Sequence, residues 1–197
     1  DNEHNQFNWD IGSLQYVFNE DPDNPLSMFT GCESLTELHY DSSDFFYTKI
    51  ENMAYMFANC TNLRDFYFEH LYNPYTNVTS MSHMFENCTN LDHVSLRYSP
   101  YGVTDTSYMF YNCINFSAGY MNYFSTEKIA DMSYMFYNCK AILVAGNENW
   151  NLSSVKSTSH MFYNCNSITD IYLGSYKTIS LEDITNMFYG CKLLESL

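Results

Sequence analysis

The seven cysteines are the residues of this chain with the widest possible chemistry, because thiolates act as nucleophiles, metal ligands and disulfide partners. Each cysteine ends a Met-Phe-x-x-Cys pentapeptide, as in Met109–Cys113. The odd number of cysteines at equivalent positions argues against a conventional disulfide framework, and no Cys-x2-Cys pair suggests zinc. We therefore predict a ladder of buried free thiols that act as small apolar side chains. Disulfides between neighbouring repeats are the alternative, since stacked repeats lie within disulfide range.

Other residues with chemical potential form no recognisable catalytic or metal site. His83 and His160 both stand five residues before a cysteine, where we expect exposure, and no nucleophile or orienting acid recurs beside them. The acidic stretch 19–24 fails the pattern of a calcium-binding loop, which requires Gly and Glu where this chain has Leu26 and Cys32. We expect a protein that is not an enzyme and that needs no cofactor or metal.

The spacing of the cysteines predicts a repeat architecture. They stand at positions 32, 60, 88, 113, 139, 165 and 191, so the period is 25 to 28 residues, which is typical of solenoids. Met and Phe, four and three residues before each cysteine, share one face of a predicted short helical turn. Alternating pairs after the cysteine, such as Leu38/Tyr40 and Phe66/Phe68, predict a strand.

The predicted fold is an α/β repeat solenoid of about seven coils. Each coil contributes one helical turn and one strand of a single parallel sheet. Residues 1–25 are predicted to form an N-terminal cap or irregular first coil. Residues 26–197 are predicted to form the solenoid, which ends without a cap.

The residue before each cysteine predicts how the helical turn ends. Only Asn and Gly occur there: Gly31, Asn59, Asn87, Asn112, Asn138, Asn164 and Gly190. Both residue types tolerate a left-handed backbone, and both are common just past the end of a helix. We therefore expect a positive φ at this position.

The resulting consensus, V-x-x-M-x-x-M-F-x-x-C-x-x-L-x-x-L-x-L, resembles a known family. It is similar to the BspA-like leucine-rich repeat surface proteins of bacteria, mycoplasma-type organisms and some protists, with the best agreement at Val78–Leu96. The similarity covers roughly residues 26–197. It implies a leucine-rich-repeat-type solenoid that is secreted or displayed on a cell surface, in a class associated with adhesion, aggregation and host or matrix contact.

The charge of the chain excludes two kinds of partner. The chain carries 23 acidic and 8 basic residues, a formal net charge of −15, which argues against nucleic acid and anionic membranes. No apolar run approaches the length of a transmembrane helix, and no signal peptide is visible at residue 1. We expect an extracellular or cell-surface protein without membrane insertion.

Two surfaces are candidates for binding. The first is a ladder of aromatic residues on the back of the helical turn, which either stack on one another or form a contact surface for sugars, proteins or lateral packing. Its members are Tyr55, His83, Tyr108, Tyr111, Tyr134, Tyr137, His160, Tyr163 and Tyr189.

The second candidate surface is the outer face of the sheet, which suits a basic protein patch or a glycan. Its members are Glu37, His39, Asp65, Tyr67, His93, Tyr120, Asp170 and Tyr172. Five sequons permit glycosylation, at Asn77, Asn151, Asn115, Asn59 and Asn87, and the first two lie in predicted loops.

These features favour a non-enzymatic interaction or adhesion solenoid whose partner is a protein or a glycan. The alternative is a structural protomer that stacks head-to-tail with copies of itself into an extracellular filament. Leu194 and Leu197 are in core register at the end of the sequence, which would leave an open edge for such stacking.

Overall fold

A computed structural model describes residues 29–40, 51–68, 78–96, 102–117, 124–146, 150–172 and 178–196. The strands among them are β1 (Glu37–Tyr40), β2 (Asp65–Phe68), β3 (His93–Leu96), β4 (Val144–Gly146) and β5 (Asp170–Tyr172). They form one sheet in the order β1-β2-β3 and a second sheet of β4 and β5, and every pairing is parallel. Residues 118–123, which lie between β3 and β4 in the chain, are outside the described residues.

Each strand pairing joins equivalent residues of neighbouring repeats, as the cysteine period predicts. Leu38 pairs with Phe66, and Phe66 with Val94, so the inward-facing positions form one row. Phe66 and Val94 are almost fully buried. The alternate positions carry Glu37, Asp65 and His93 side by side on the outer face. The predicted alternation therefore holds at these positions, whereas in β3 the predicted outward residue Ser95 is also buried.

No helix occurs in the described ranges, and tight turns replace the predicted helical turn. In the second repeat, backbone hydrogen bonds of 3.0–3.4 Å close three overlapping turns, Met53–Met56, Tyr55–Ala58 and Phe57–Cys60. The third residues of the first and last turns, Tyr55 and Asn59, have φ of 58° and 62°. A positive φ at this position is characteristic of type II turns and incompatible with an α-helix.

Hydrogen bonds between coils explain why the turns are preferred over a helix. The N–H groups of Met53, Tyr55, Phe57 and Asn59 donate across 2.7–3.1 Å to carbonyl oxygens of the next repeat. A helix would consume these donors within its own segment. The same pattern continues from Gly31, which donates to Ala58, to Asn164, which donates to Tyr189. The Met-Phe-x-x-Cys segments, from Phe29 of the first to Cys191 of the last, therefore lie one directly on the next.

The core contains the residues that the sequence places there. The Phe of each pentapeptide stacks on its neighbours from Phe29 to Phe188, with ring centroids 5.1–6.1 Å apart. All seven cysteines are free thiols; five are buried, and Cys32 and Cys191 are partly buried. The predicted ladder of free thiols is confirmed.

Some predictions fall outside the described residues. These are the N-terminal cap over residues 1–25, the sequon at Asn77, Tyr120 on the sheet face and the side chain of His39. Among the described residues, no helix is long and apolar enough to cross a membrane. Those residues also contain no group of three or more His, Cys, Asp or Glu side chains suited to a metal ion.

Candidate functional site

The thiols have a structural role. From Cys60 onward, each Sγ donates a hydrogen bond of 2.9–3.1 Å to the carbonyl of the Phe in the preceding pentapeptide. Burial raises the pKa of Cys60 and of Cys191 to about 11, and it raises the pKa of Cys113 and Cys139 further. Because the thiolate is the reactive form, these protonated cysteines are poor nucleophiles and poor metal ligands.

The Asn residues before the cysteines form a second ladder. Asn112 has a φ of 60°, and positive φ recurs at every predicted Asn and Gly position. The side-chain amide of Asn112 donates to Asn87 at 2.9 Å, that of Asn87 to Asn59, and that of Asn138 to Asn112. The backbone prediction is confirmed, and the amide ladder explains why most repeats use Asn rather than Gly.

Sequence analysis missed a cap at the start of each turn segment. Eight residues before each cysteine from Cys60 onward, a side-chain oxygen accepts the N–H two residues later at 2.8–3.3 Å. The acceptors are Asn52, Ser80, Asp105, Asp131, Ser157 and Asp183. Only Asn, Ser and Asp occur at this position, and these are the residues that form such turns, so the signal was present in the sequence.

The predicted aromatic ladder forms two columns of stacked rings. The first column is Tyr55, His83, Tyr108, Tyr134 and His160, with centroids 4.3–4.6 Å apart. The second column is Tyr111, Tyr137, Tyr163 and Tyr189, with centroids 4.7–4.8 Å apart. Tilted contacts join the columns, as between Tyr108 and Tyr111 at 5.5 Å.

Stacking determines which parts of the rings a partner can reach. Within a column the rings between the two ends have both faces covered by their neighbours, so a sugar has no face to stack on there. Ring edges and polar groups are what the columns can offer. Burial and the neighbouring tyrosines raise the pKa of Tyr108 and Tyr111, which keeps their hydroxyls protonated.

The histidines of the first column are less exposed than the sequence suggested. The side chain of His83 is only 21% exposed, and its Nδ1 lies 2.7 Å from Oε2 of Glu86. His160 is also partly buried, with its Nδ1 2.9 Å from Oγ of Ser159. The expectation of exposed histidines was wrong because His83 is stacked between Tyr55 and Tyr108, and His160 is stacked on Tyr134.

The outer face of the sheet is acidic at one end. Glu37, Asp65 and His93 lie in register across β1, β2 and β3. His93 Nδ1 lies 3.0 Å from Asp65 Oδ1 and 3.4 Å from Asp92 Oδ2. Beside this row, Arg64, Asn90, Asp92 and Asn115 line a polar hollow of about 300 Å³.

The outer face carries exposed apolar side chains around Asp170 at the other end. Leu143, Val144 and Tyr172 are 59%, 43% and 57% exposed on and beside β4 and β5. Val144 pairs with Asp170, whose pKa is lowered by hydrogen bonds from Ser196 and Thr169. Sequence analysis missed Leu143, since the equivalent position in other repeats carries polar residues such as Arg64 and Asp92.

The sequons differ in how freely a glycan could attach. Asn115 is exposed, and Asn151 uses its Oδ1 to accept the N–H of Ser153 at 3.0 Å. The Nδ2 of Asn87, where a glycan would attach, instead donates to Asn59 within the amide ladder. Asn59 is exposed and accepts that bond. Asn87 is therefore the site most restricted by structure.

Comparison with known proteins assigns the family. A family model described as "Mycoplasma protein of unknown function, DUF285" matches residues 2–98, 23–143 and 79–196. The chain belongs to the DUF285 family. No curated protein matches it.

Solved structures resemble this DUF285 chain at low sequence identity. The leucine-rich repeat protein of T. pallidum, TpLRR, is 17% identical, with a TM-score of 0.55 over 86% of this chain and 70% of that one. A leucine-rich cell surface protein from Faecalibacterium prausnitzii A2-165 is 16% identical, with a TM-score of 0.25 over 85% and 67%. The likeness to TpLRR shows the repeat-solenoid fold, and the resemblance to BspA-like leucine-rich repeat proteins is confirmed.

Proposed function

We propose that this DUF285 chain is a non-enzymatic binding solenoid that takes a protein ligand on the outer face of its sheets. The observation that carries the proposal is the division of that face into an acidic row at β1–β3 and an apolar patch at β4–β5. Solenoids commonly bind along such extended surfaces. The proposed location, outside the cell or on its surface, follows from the resemblance to BspA-like surface proteins.

The chemistry of the face selects a ligand with both basic and apolar side chains. Carboxylates of Glu37, Asp65 and Asp170 would attract lysine or arginine and speed the encounter. Leu143, Val144 and Tyr172 would then supply apolar contact, which stabilises the complex once water is excluded. The strong negative charge makes nucleic acid and anionic membranes unsuitable partners.

A glycan is the second candidate ligand, and the polar hollow supports it. Arg64, Asn90, Asp92 and Asn115 come from three successive repeats and present donors and acceptors together. Such groups suit the hydroxyls of a saccharide. The stacked aromatic columns do not favour sugar binding along their length, since the faces of all but their end rings are covered.

Peptide binding by surface variants tests the proposal. The probe is a synthetic peptide of alternating lysine and leucine, with its affinity measured by calorimetry at two salt concentrations. We expect the variant Asp65→Asn with Val144→Ser to bind at least about tenfold more weakly than the wild type. The matched control, Glu51→Gln with Glu127→Gln, removes exposed carboxylates that lie outside the strands. If the control pair weakened peptide binding equally, the loss of affinity would follow from net charge alone, and the outer face would not be the binding site.

The filament alternative has a specific surface in its support. Ile179, Ile184 and Leu193 of the last described repeat are 80%, 61% and 55% exposed. A further coil of the same chain or another copy would cover them equally well. Negative-stain images of the purified chain over a range of concentrations test whether it forms filaments. Rods that lengthen with concentration would support the filament, and uniform short particles would reject it.

A further inference from the structure

We propose that two copies of this chain associate side by side through the tyrosine columns, with their solenoid axes parallel. The surface concerned, here called the tyrosine face, comprises residues 107–112, 133–138, 159–164 and 185–190. These segments contain no Asp, Glu, Lys or Arg, in a chain whose net charge is −15. A tyrosine-rich surface without charges at its centre is what protein interfaces select.

Charges lie on both margins of the tyrosine face, and the two margins have opposite sign. Two residues before these segments come Asp105, Asp131 and Asp183. Two residues after them come Lys140 and Lys192, which are both exposed. Neither lysine has an ion-pair partner among the described residues. Each lysine is therefore available to a partner molecule.

The order of the margins selects one symmetry. A twofold axis parallel to the solenoid axis brings the acidic margin of one copy against the basic margin of the other, at the same level. A twofold axis perpendicular to the solenoid axis would bring acid against acid. Only the parallel arrangement is complementary.

The individual repeats agree with this arrangement. The repeat that carries Lys140 also carries Asp131, and the repeat that carries Lys192 also carries Asp183. Lys156, three residues before its segment, places a cation on the acidic margin. Its repeat has Asn166 where two of the other three repeats have lysine. No lysine would therefore face a lysine.

The same symmetry brings unlike aromatic columns together. The first column of one copy would lie against the second column of the other, with ring edges and hydroxyls in contact. Because each hydroxyl both donates and accepts, such rows can pair without a change of backbone. The outer face of the sheets remains free, so this proposal does not depend on the proposed ligand.

Sedimentation equilibrium of the full chain tests the association. We expect a mass twice the 23.1 kDa of one chain, falling to the single mass on dilution. The variant Tyr137→Glu should raise the dimer dissociation constant at least tenfold, whereas the control Tyr172→Glu, on the sheet side, should leave it unchanged. Circular dichroism checks that each variant is folded. The double variant Lys140→Glu with Lys192→Glu changes two exposed side chains and should also raise the dimer dissociation constant. A chain that stays monomeric, or a dimer indifferent to these changes, overturns the proposal.

Zero-length carbodiimide cross-linking tests the symmetry. Ordinary and nitrogen-15-labelled chains are mixed, so that amides between copies carry both labels. We expect mixed-label links from Lys140 to Asp131 and from Lys192 to Glu182 or Asp183. A dimer whose mixed-label links join other residues, with these pairs absent, refutes the parallel arrangement.

Discussion

The Sγ of Cys113 donates a hydrogen bond of 3.0 Å to the carbonyl oxygen of Phe85 in the preceding repeat. The same carbonyl accepts the N–H of Cys88 at 3.0 Å within its own turn. One oxygen thus closes a turn and joins two coils. Cysteine suits this position because its side chain is small and apolar and still supplies a donor.

Thiol reactivity should follow burial. We expect an aromatic disulfide reagent to modify Cys191 in the native protein well before Cys113 or Cys139, because the latter two are buried and their pKa values are raised further than that of Cys191. Mass spectrometry of each cysteine peptide over time measures the rates. Equal rates at Cys191 and Cys113 in the folded protein would contradict a structural role.

Replacement of Asn112 should distinguish the effect of backbone strain on stability from the effect of the side-chain amide contacts. The variant Asn112→Val forces a β-branched residue into a φ of 60° and should lower the free energy of unfolding by about 1–2 kcal/mol from strain alone. The control Asn112→Gly keeps the backbone conformation and loses only the amide contacts. Urea unfolding compares the two, and a glycine variant less stable than the valine variant would refute the strain argument.

Stability should decrease at alkaline pH. The pKa of Cys60 rises from 9.0 to about 11 in the folded protein because the thiol is buried. Between these values the folded state binds more protons than the unfolded chain, so the free energy of unfolding falls as pH rises. The raised pKa values of Tyr108 and Tyr111 act in the same direction above their ordinary value of 10.0. Urea midpoints measured at a series of pH values check the direction of the change in stability. An increase of the urea midpoint as the pH is raised beyond about 9 would contradict the prediction.

Glycosylation should distinguish the sequons. In a host that glycosylates, we expect higher occupancy at Asn115 and Asn151 than at Asn87, whose Nδ2 is committed to Asn59. Glycopeptide mass spectrometry measures the occupancy of each site. Full occupancy at Asn87 in folded protein would show that the amide ladder is dispensable.

Much of the architecture could be predicted because residue type and conformation agree. Asn112 lies in a left-handed conformation that asparagine tolerates, so its sequence position predicted its backbone. Phe85 and Cys113 each stand at a position that carries the same residue type in every repeat, so their burial could be predicted from the period of the repeat. At these positions local preference and packing favour the same structure.

The turns could not be predicted because tertiary hydrogen bonds override local preference. Tyr108 has a φ of 58°, although tyrosine has no tendency toward that region. Its N–H donates to the carbonyl of Ser133 in the next repeat at 2.9 Å, and only a non-helical segment leaves that donor free. The apolar patch was missed for another reason: Leu143 breaks the polar pattern of its repeat position and is therefore visible as a surface only in three dimensions.

Amide hydrogen exchange with and without the lysine–leucine peptide tests the central claim, that ligand binds on the outer face of the sheets, most directly. The experiment compares β1 to β5 and their flanking residues with the turn segments at 107–112 and 133–138. We predict that the peptide slows exchange along and beside the strands and leaves the turn segments unchanged. Slower exchange confined to the turn segments would contradict the account and assign ligand binding to the tyrosine face.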